Sequence, residues 1–224
     1  MSIHQPFFNA LILGYTGAVG SVLLEELVKS DKVNSIVCLG RRPAPYDHHK
    51  IQFVQADLSN LVKHLDAFSG ISRVYCCLGS TMKQAGSKEA FKKVDYNMVV
   101  DAANVAKQAG VTHFSLISAV GANAKSGFFY NQVKGEAEQA LEAVGFDRLS
   151  IYRPGLLLGD RQEVRVGERI AKVLSPLFEW LFPVRFRSIH VRIVAQAMLL
   201  NSIKTDEGLE VIFNGEMKTL AKAL

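Results

Sequence analysis

No uninterrupted apolar run in this chain approaches the length needed to cross a membrane. No basic stretch precedes its first apolar run, and that run leads into a glycine turn, so it reads as a first strand rather than a secretory signal. No block of like charge is long enough to form a nucleic-acid tail, and no internal repeat, low-complexity tract or linker breaks the chain. Without a heptad pattern or a clear edge signal, a monomer and a homodimer both fit. Cysteine is scarce, with Cys38, Cys76 and Cys77 the three present. All fall in strand-like runs, where neighbours point to opposite faces, so Cys76 and Cys77 do not pair. Buried, reduced thiols are the expectation, which fits a cytoplasmic protein. The six histidines show no ligand spacing with cysteine or carboxylate, and His48-His49 sits in a polar turn, so no metal site is expected.

The length of 224 residues suits one α/β domain with its own core, and 49% apolar with 21% charged residues is a globular composition. The net charge of +5 serves solubility in the plainest account. A basic groove for a phosphorylated ligand is a second account, and nucleic acid a weaker third, with no motif behind it.

Apolar, β-branched runs alternate with helical periodicity. The run 7–13 leads into Gly14-Tyr15-Thr16-Gly17-Ala18-Val19-Gly20 and then into the helix-like stretch 21–29. Strand, glycine turn and helix form the context in which such a turn holds a pyrophosphate. Gly14 permits the tight turn, Gly17 a close backbone approach, and Gly20 close helix packing. The helix N-terminus then offers free N–H groups and a favourable dipole. Further strands are expected at 35–39, 51–54, 73–77, 112–118, 148–152 and 209–213. Helices are expected at about 91–109, 130–144 and 191–200. This alternation argues a doubly wound parallel sheet. Residues 156–190 are too long for a simple loop and read, with the C-terminal part, as a substrate-covering subregion of one domain spanning 1–224.

Tyr130 and Lys134 are four apart at the start of a helix and share one face. A phenol ionises near pH 10, too high for acid–base work at neutrality, and a nearby ammonium lowers that value. Such a phenol can pass a proton to a carbonyl oxygen while hydride reaches its carbon. Ser118 ends a strand on the side where ligands sit in an open parallel sheet, placed to hydrogen-bond the same oxygen. After the second strand stand Arg41 and Arg42, with no acid nearby to hold a ribose 2′-hydroxyl. Two guanidiniums suit a 2′-phosphate, so NADP(H) is preferred over NAD(H).

Three further segments carry a resemblance: 76–81 (CCLGST), 130–136 (YNQVKGE) and 152–161 (YRPGLLLGDR). With the glycine turn and the tyrosine–lysine pair they make the chain, over about 7–215, similar to the short-chain dehydrogenase/reductase superfamily. It resembles most the atypical, Tat-interacting-protein-like oxidoreductases. The resemblance implies an NADP(H)-binding Rossmann fold with Ser118, Tyr130 and Lys134 in the catalytic positions. It makes Asn97 the candidate for a proton relay, a helix-surface role being the alternative. Gly14, Thr16, Gly17, Ala18, Val19 and Gly20 would hold the dinucleotide. Asp57 and Leu58 would meet the adenine, Leu78 and Gly79 the ribose and phosphates, and Pro154 and Gly155 the nicotinamide.

The expected function is hydride transfer between NADP(H) and a small carbonyl/alcohol substrate. The alternative is an NADPH-binding sensor or regulatory protein with little turnover. The apolar segment 173–183 reads as a core-packed lid, with a protein or membrane-surface contact as the other reading. Arg161 and Glu163 would line the substrate pocket or form a surface ion pair.

Overall fold

The computed structural model describes residues 7–159 and 183–222. The expectations for Arg161, Glu163 and 173–182 lie outside the described residues. Seven strands form one parallel sheet: β1 (Phe8–Leu13), β2 (Val33–Gly40), β3 (Ile51–Gln55), β4 (Arg73–Cys76), β5 (His113–Ile117), β6 (Arg148–Arg153) and β9 (Gly208–Phe213). Their order is β3-β2-β1-β4-β5-β6-β9. The chain builds outward from β1 to β3, then crosses back to lay β4 against the other side of β1. That reversal opens a crevice at the carboxyl ends of β1 and β4, the usual ligand position in such sheets. A two-stranded pair, β7 (Leu157–Leu158) with β8 (Ile189–His190), lies apart from the main sheet.

Strands covered on both faces read as continuous apolar runs, and Ala10-Leu11-Ile12-Leu13 is fully buried. Alternate residues feed two cores. Leu11, Leu13, Val74, Cys76, Phe114 and Leu116 face one side with α4 (Met98–Gln108) and Leu141 of α5 (Phe129–Val144). Ala10, Ile12, Cys38, Tyr75 and Tyr152 face the other with α1 (Ala18–Lys29) and α6 (Val191–Ile203). Cys76 and Cys77 pack against opposite cores, and all three thiols are free. Burial pushes the Cys38 thiol up to about 12 and Cys76 to about 11, so both stay protonated.

The helix expected over 91–109 is interrupted. After the short helix α2 (Met82–Ala85), it runs as α3 (Lys88–Lys92), a π turn (Lys93–Asn97) and α4. A π turn widens the helix locally and resets which residues face inward. Asp95 is thereby buried, and Asn97, two residues on, is exposed.

Polar residues on one face of β5 and β6 are buried beneath α6. His113 hydrogen-bonds Ser150 Oγ at 2.9 Å. Arg148 Nη1 donates to Lys204 O at 2.7 Å, and Arg73 Nε to Ser202 O at 2.7 Å. Two cations thus meet the C-terminal end of α6, where the helix dipole is negative. Burial, reinforced by Arg148 and Arg73, pushes His113 from 6.5 down to about 3. Below pH 6.5 the unfolded chain gains a proton that the folded chain refuses, so stability falls with acidification down to about pH 3. Between pH 7 and 5 this one residue should cost about 2 kcal/mol. Urea unfolding at both pH values, on the native chain and on His113→Gln, should show the smaller loss in the variant. Equal losses would remove His113 from the account.

Candidate active site

The glycine turn sits at the mouth of the crevice. Gly14 has φ +77°, a left-handed conformation, and a Cβ there would stand 2.5 Å from Cys77 O. A Cβ on Gly20 would lie 2.2 Å from Gly14 O, so α1 can begin directly against the turn only with glycine at that position. Gly17 caps α1 without any side-chain hydrogen bond. The N–H groups of the first helical turn therefore have no side-chain acceptor supplied by the cap.

One cleft brings this turn to the opposite wall. It is lined by Gly17, Ala18 and Val19 on one side, Leu78 and Gly79 after β4, and Ser118, Tyr130 and Lys134 across from them. Residues far apart in sequence thus meet because their elements all end at the same edge of the sheet.

Helix α5 presents Tyr130, Lys134 and Glu138 one turn apart on its inward face. The Tyr130 ring packs 5.4 Å from that of buried Phe91. Lys134 Nζ stands 2.8 Å from Asp95 Oδ1, with both side chains almost wholly buried. The other carboxylate oxygen accepts from Ser80 N at 2.9 Å and Ser80 Oγ at 2.8 Å. Burial drives the Lys134 ammonium toward neutrality, but Asp95, aided by Tyr130, outweighs it and holds the amine above its ordinary value.

One turn further along α5, Glu138 Oε1 accepts from Ser118 Oγ and from Arg153 Nε, the latter at 3.0 Å. Arg153 Nη2 donates to Glu138 Oε2, completing a forked pair. The Ser118 amide is fixed to Tyr152 O at 2.8 Å, which ties the end of β5 to β6.

The expected site residues divide. Ser118, Tyr130, Lys134, Gly17, Ala18, Val19, Leu78 and Gly79 come together in the cleft. Asn97 does not: its exposure on the π turn takes it away from the site, and Asp95 occupies the place beside Lys134. At the outer end, Arg41 and Arg42 are exposed, and Arg42 Nη2 reaches Thr16 Oγ1 at 2.7 Å. Tyr15 Oη donates to Arg42 O, fastening this corner to the glycine turn. Exposed Asp57 is held below the usual carboxylate range by hydrogen bonds from Ser59, then by Lys93 and Arg41, while Leu58 is buried in the core. Pro154 accepts Val120 N, and Gly155 packs on the 186–187 backbone, where a Cβ would stand 2.2 Å from Arg187 O. Among the described residues the cleft wall on that side is Leu157 rather than Pro154 or Gly155.

Ser80 lines the cleft, and Asp95, Glu138 and Arg153 pair with or support residues that line it; no motif marks these four. Glu138 repeats the four-residue interval of Tyr130 and Lys134, a signal present in the sequence. Asp95 becomes visible only with the π turn.

A doubly wound parallel sheet and an uncapped glycine-turn helix opening on one cleft define a dinucleotide-binding fold. The NAD(P)H-binding family model matches residues 14–175. The chain is 37% identical over 221 residues to Protein HTATIP2 of Rattus norvegicus, covering 96% of this chain and 89% of the relative. It is 34% identical over 227 residues to the mitochondrial protein FMP52 of Meyerozyma guilliermondii, covering 96% and 95%. The chain therefore belongs to the NAD(P)H-binding family, within its Tat-interacting-protein-like group. Solved structures share the fold at low identity. MoeE5 in complex with UDP-glucose and NAD matches with TM-score 0.71 at 18% identity, over 96% of this chain and 81% of that one. The Bordetella bronchiseptica enzyme WbmH in complex with NAD+ matches with TM-score 0.71 at 16% identity, over 97% and 80%.

Proposed function

We propose that the chain is an NADP(H)-dependent oxidoreductase that interconverts a small carbonyl compound and its alcohol. One observation carries this reading: the uncapped N-terminus of α1 and the side chains of Ser118, Tyr130 and Lys134 line a single cleft. The residues suit a dinucleotide. The first turn of α1 offers N–H groups and a positive dipole end to a pyrophosphate. Arg41 and Arg42, exposed beside the glycine turn with no acid on β2, suit a 2′-phosphate. Asp57 and Leu58 follow β3, at the adenine end. When bound, the nicotinamide supplies or accepts hydride.

The chain's own residues handle the proton. Tyr130 Oη gives it to the carbonyl oxygen, or takes it from the alcohol. Lys134, kept cationic by Asp95, stabilises the phenolate that forms and offers a donor to the nicotinamide ribose. Ser118 fixes the substrate oxygen. The proposed location is the cytoplasm, a reducing compartment suited to free thiols. By its name the FMP52 relative is mitochondrial.

A second reading, an NADPH-responsive regulatory protein with little turnover, has its own observation. Ser118 and Lys134 are both engaged by buried carboxylates, Glu138 and Asp95. Titration with NADPH and NADH side by side tests the first step of either reading. NADPH should bind more tightly, and Arg41→Ala/Arg42→Ala should cut NADPH affinity about tenfold to a hundredfold while leaving NADH nearly unchanged. Equal affinities would remove the arginine argument, and binding of neither would remove both readings. A screen of carbonyl compounds with NADPH then separates enzyme from sensor.

A further inference from the structure

Resting on the oxidoreductase reading, we propose that Glu138 is a positioning residue that turns the Ser118 hydroxyl into a hydrogen-bond acceptor. The site is then built to receive a substrate hydroxyl at that position rather than a carbonyl. Ser118 has one O–H proton. The structure directs it to Glu138 Oε1, with both residues buried. The direction is fixed by chemistry, because an ionised carboxylate only accepts. Arg153 donates to both of its oxygens, through Nε at 3.0 Å and through Nη2. What Ser118 shows the cleft is therefore its lone pairs, and a ligand group meeting them must be a donor.

An alcohol satisfies that requirement and a carbonyl oxygen does not. For Ser118 to donate to a carbonyl, as the sequence pattern alone suggests, the buried carboxylate must give up a charge-assisted bond. That loss weakens carbonyl binding by Ser118 about tenfold to a hundredfold. Of the Ser118–Tyr130 pair, Tyr130 is left as the hydroxyl donor to a carbonyl. The arrangement favours a hydroxyl-bearing substrate in the ground state: its single proton rests on the Ser118 lone pair and turns from there to the Tyr130 phenolate for transfer.

Neutron diffraction from crystals of the perdeuterated full chain, with and without NADP+, decides the point. The expected result is a deuteron on Ser118 Oγ aimed at Glu138 Oε1 in both. A deuteron aimed into the cleft, or one residing on Glu138 with Ser118 accepting, overturns the inference. A kinetic arm uses 1-phenylethanol and acetophenone as a matched pair with the native chain and with Glu138→Leu/Arg153→Leu, which leaves no lone buried charge. The ratio of the KM for the alcohol to that for the ketone should rise about tenfold to a hundredfold in the variant. Compensating changes in kcat are required, because the overall equilibrium is not altered. In a Ser118→Ala background the same double change should leave the ratio where it was, which a merely structural role for Glu138 would not produce. An unchanged ratio in a folded variant that retains Ser118 also overturns the inference. Should neither compound be turned over, the deuteron position still decides this inference, while failure to bind NADPH would count against the oxidoreductase reading instead.

Discussion

Lys134→Met should cost the fold about 3–5 kcal/mol at pH 7, and Asp95→Leu a similar amount. Each leaves one buried ion without its partner, since the two side chains are 6% and 0% exposed. A loss of that size is roughly a fifth or more of the stability of a typical domain, about 5–15 kcal/mol. The double variant Asp95→Leu/Lys134→Met should recover most of it, because a buried pair replaced by apolar groups of similar volume is close to neutral. Guanidinium unfolding of the four proteins gives the coupling energy directly. Single losses below about 1 kcal/mol would show that the pair is not the buried unit described here. The pH dependence has a definite sign. Lys134 is raised above its unfolded value of 10.5, so its contribution is complete below that pH and disappears as pH climbs through the higher folded value.

The parts of this molecule that could be read from sequence are those set by local rules. Apolar, β-branched runs placed all seven main strands to within a few residues, because strands buried on both faces leave little freedom in composition. The glycine turn was legible because no other residue fits where Gly14 and Gly20 meet backbone oxygens. Tyr130 and Lys134 were legible as a pair because helical spacing puts them on one face. What was not legible depends on partners distant in sequence. Asn97 was the relay candidate from the resemblance, yet on the π turn it is exposed while Asp95 is buried, and a π turn leaves no mark in hydrophobic periodicity. Gly155 looked like a cofactor contact, yet its close neighbour is the backbone at Arg187. The polar residues His113 and Ser115 on β5 are buried under α6, which no local pattern marks. In each case a tertiary neighbour, not a local propensity, decided the outcome.

Tyr130→Phe should lower turnover about a hundredfold to ten-thousandfold while changing NADPH affinity little. The substitution removes one oxygen and keeps the ring that packs 5.4 Å from Phe91, so the cleft wall survives. It takes away the group proposed to move a proton to or from the substrate oxygen. Lys134 cannot take over as the base, because Asp95 pairs with its ammonium at 2.8 Å and keeps the amine protonated. Ser118 cannot substitute either, since its proton is committed to Glu138. The prediction is therefore sharper than for a site in which the serine keeps a free proton. Steady-state turnover of the native chain and the Tyr130→Phe variant, with NADPH dissociation constants from fluorescence, gives both quantities in one preparation. Turnover within tenfold of native at unchanged affinity would sink the tyrosine mechanism. Loss of NADPH binding in step with turnover would place the phenol in the dinucleotide site rather than in the chemistry.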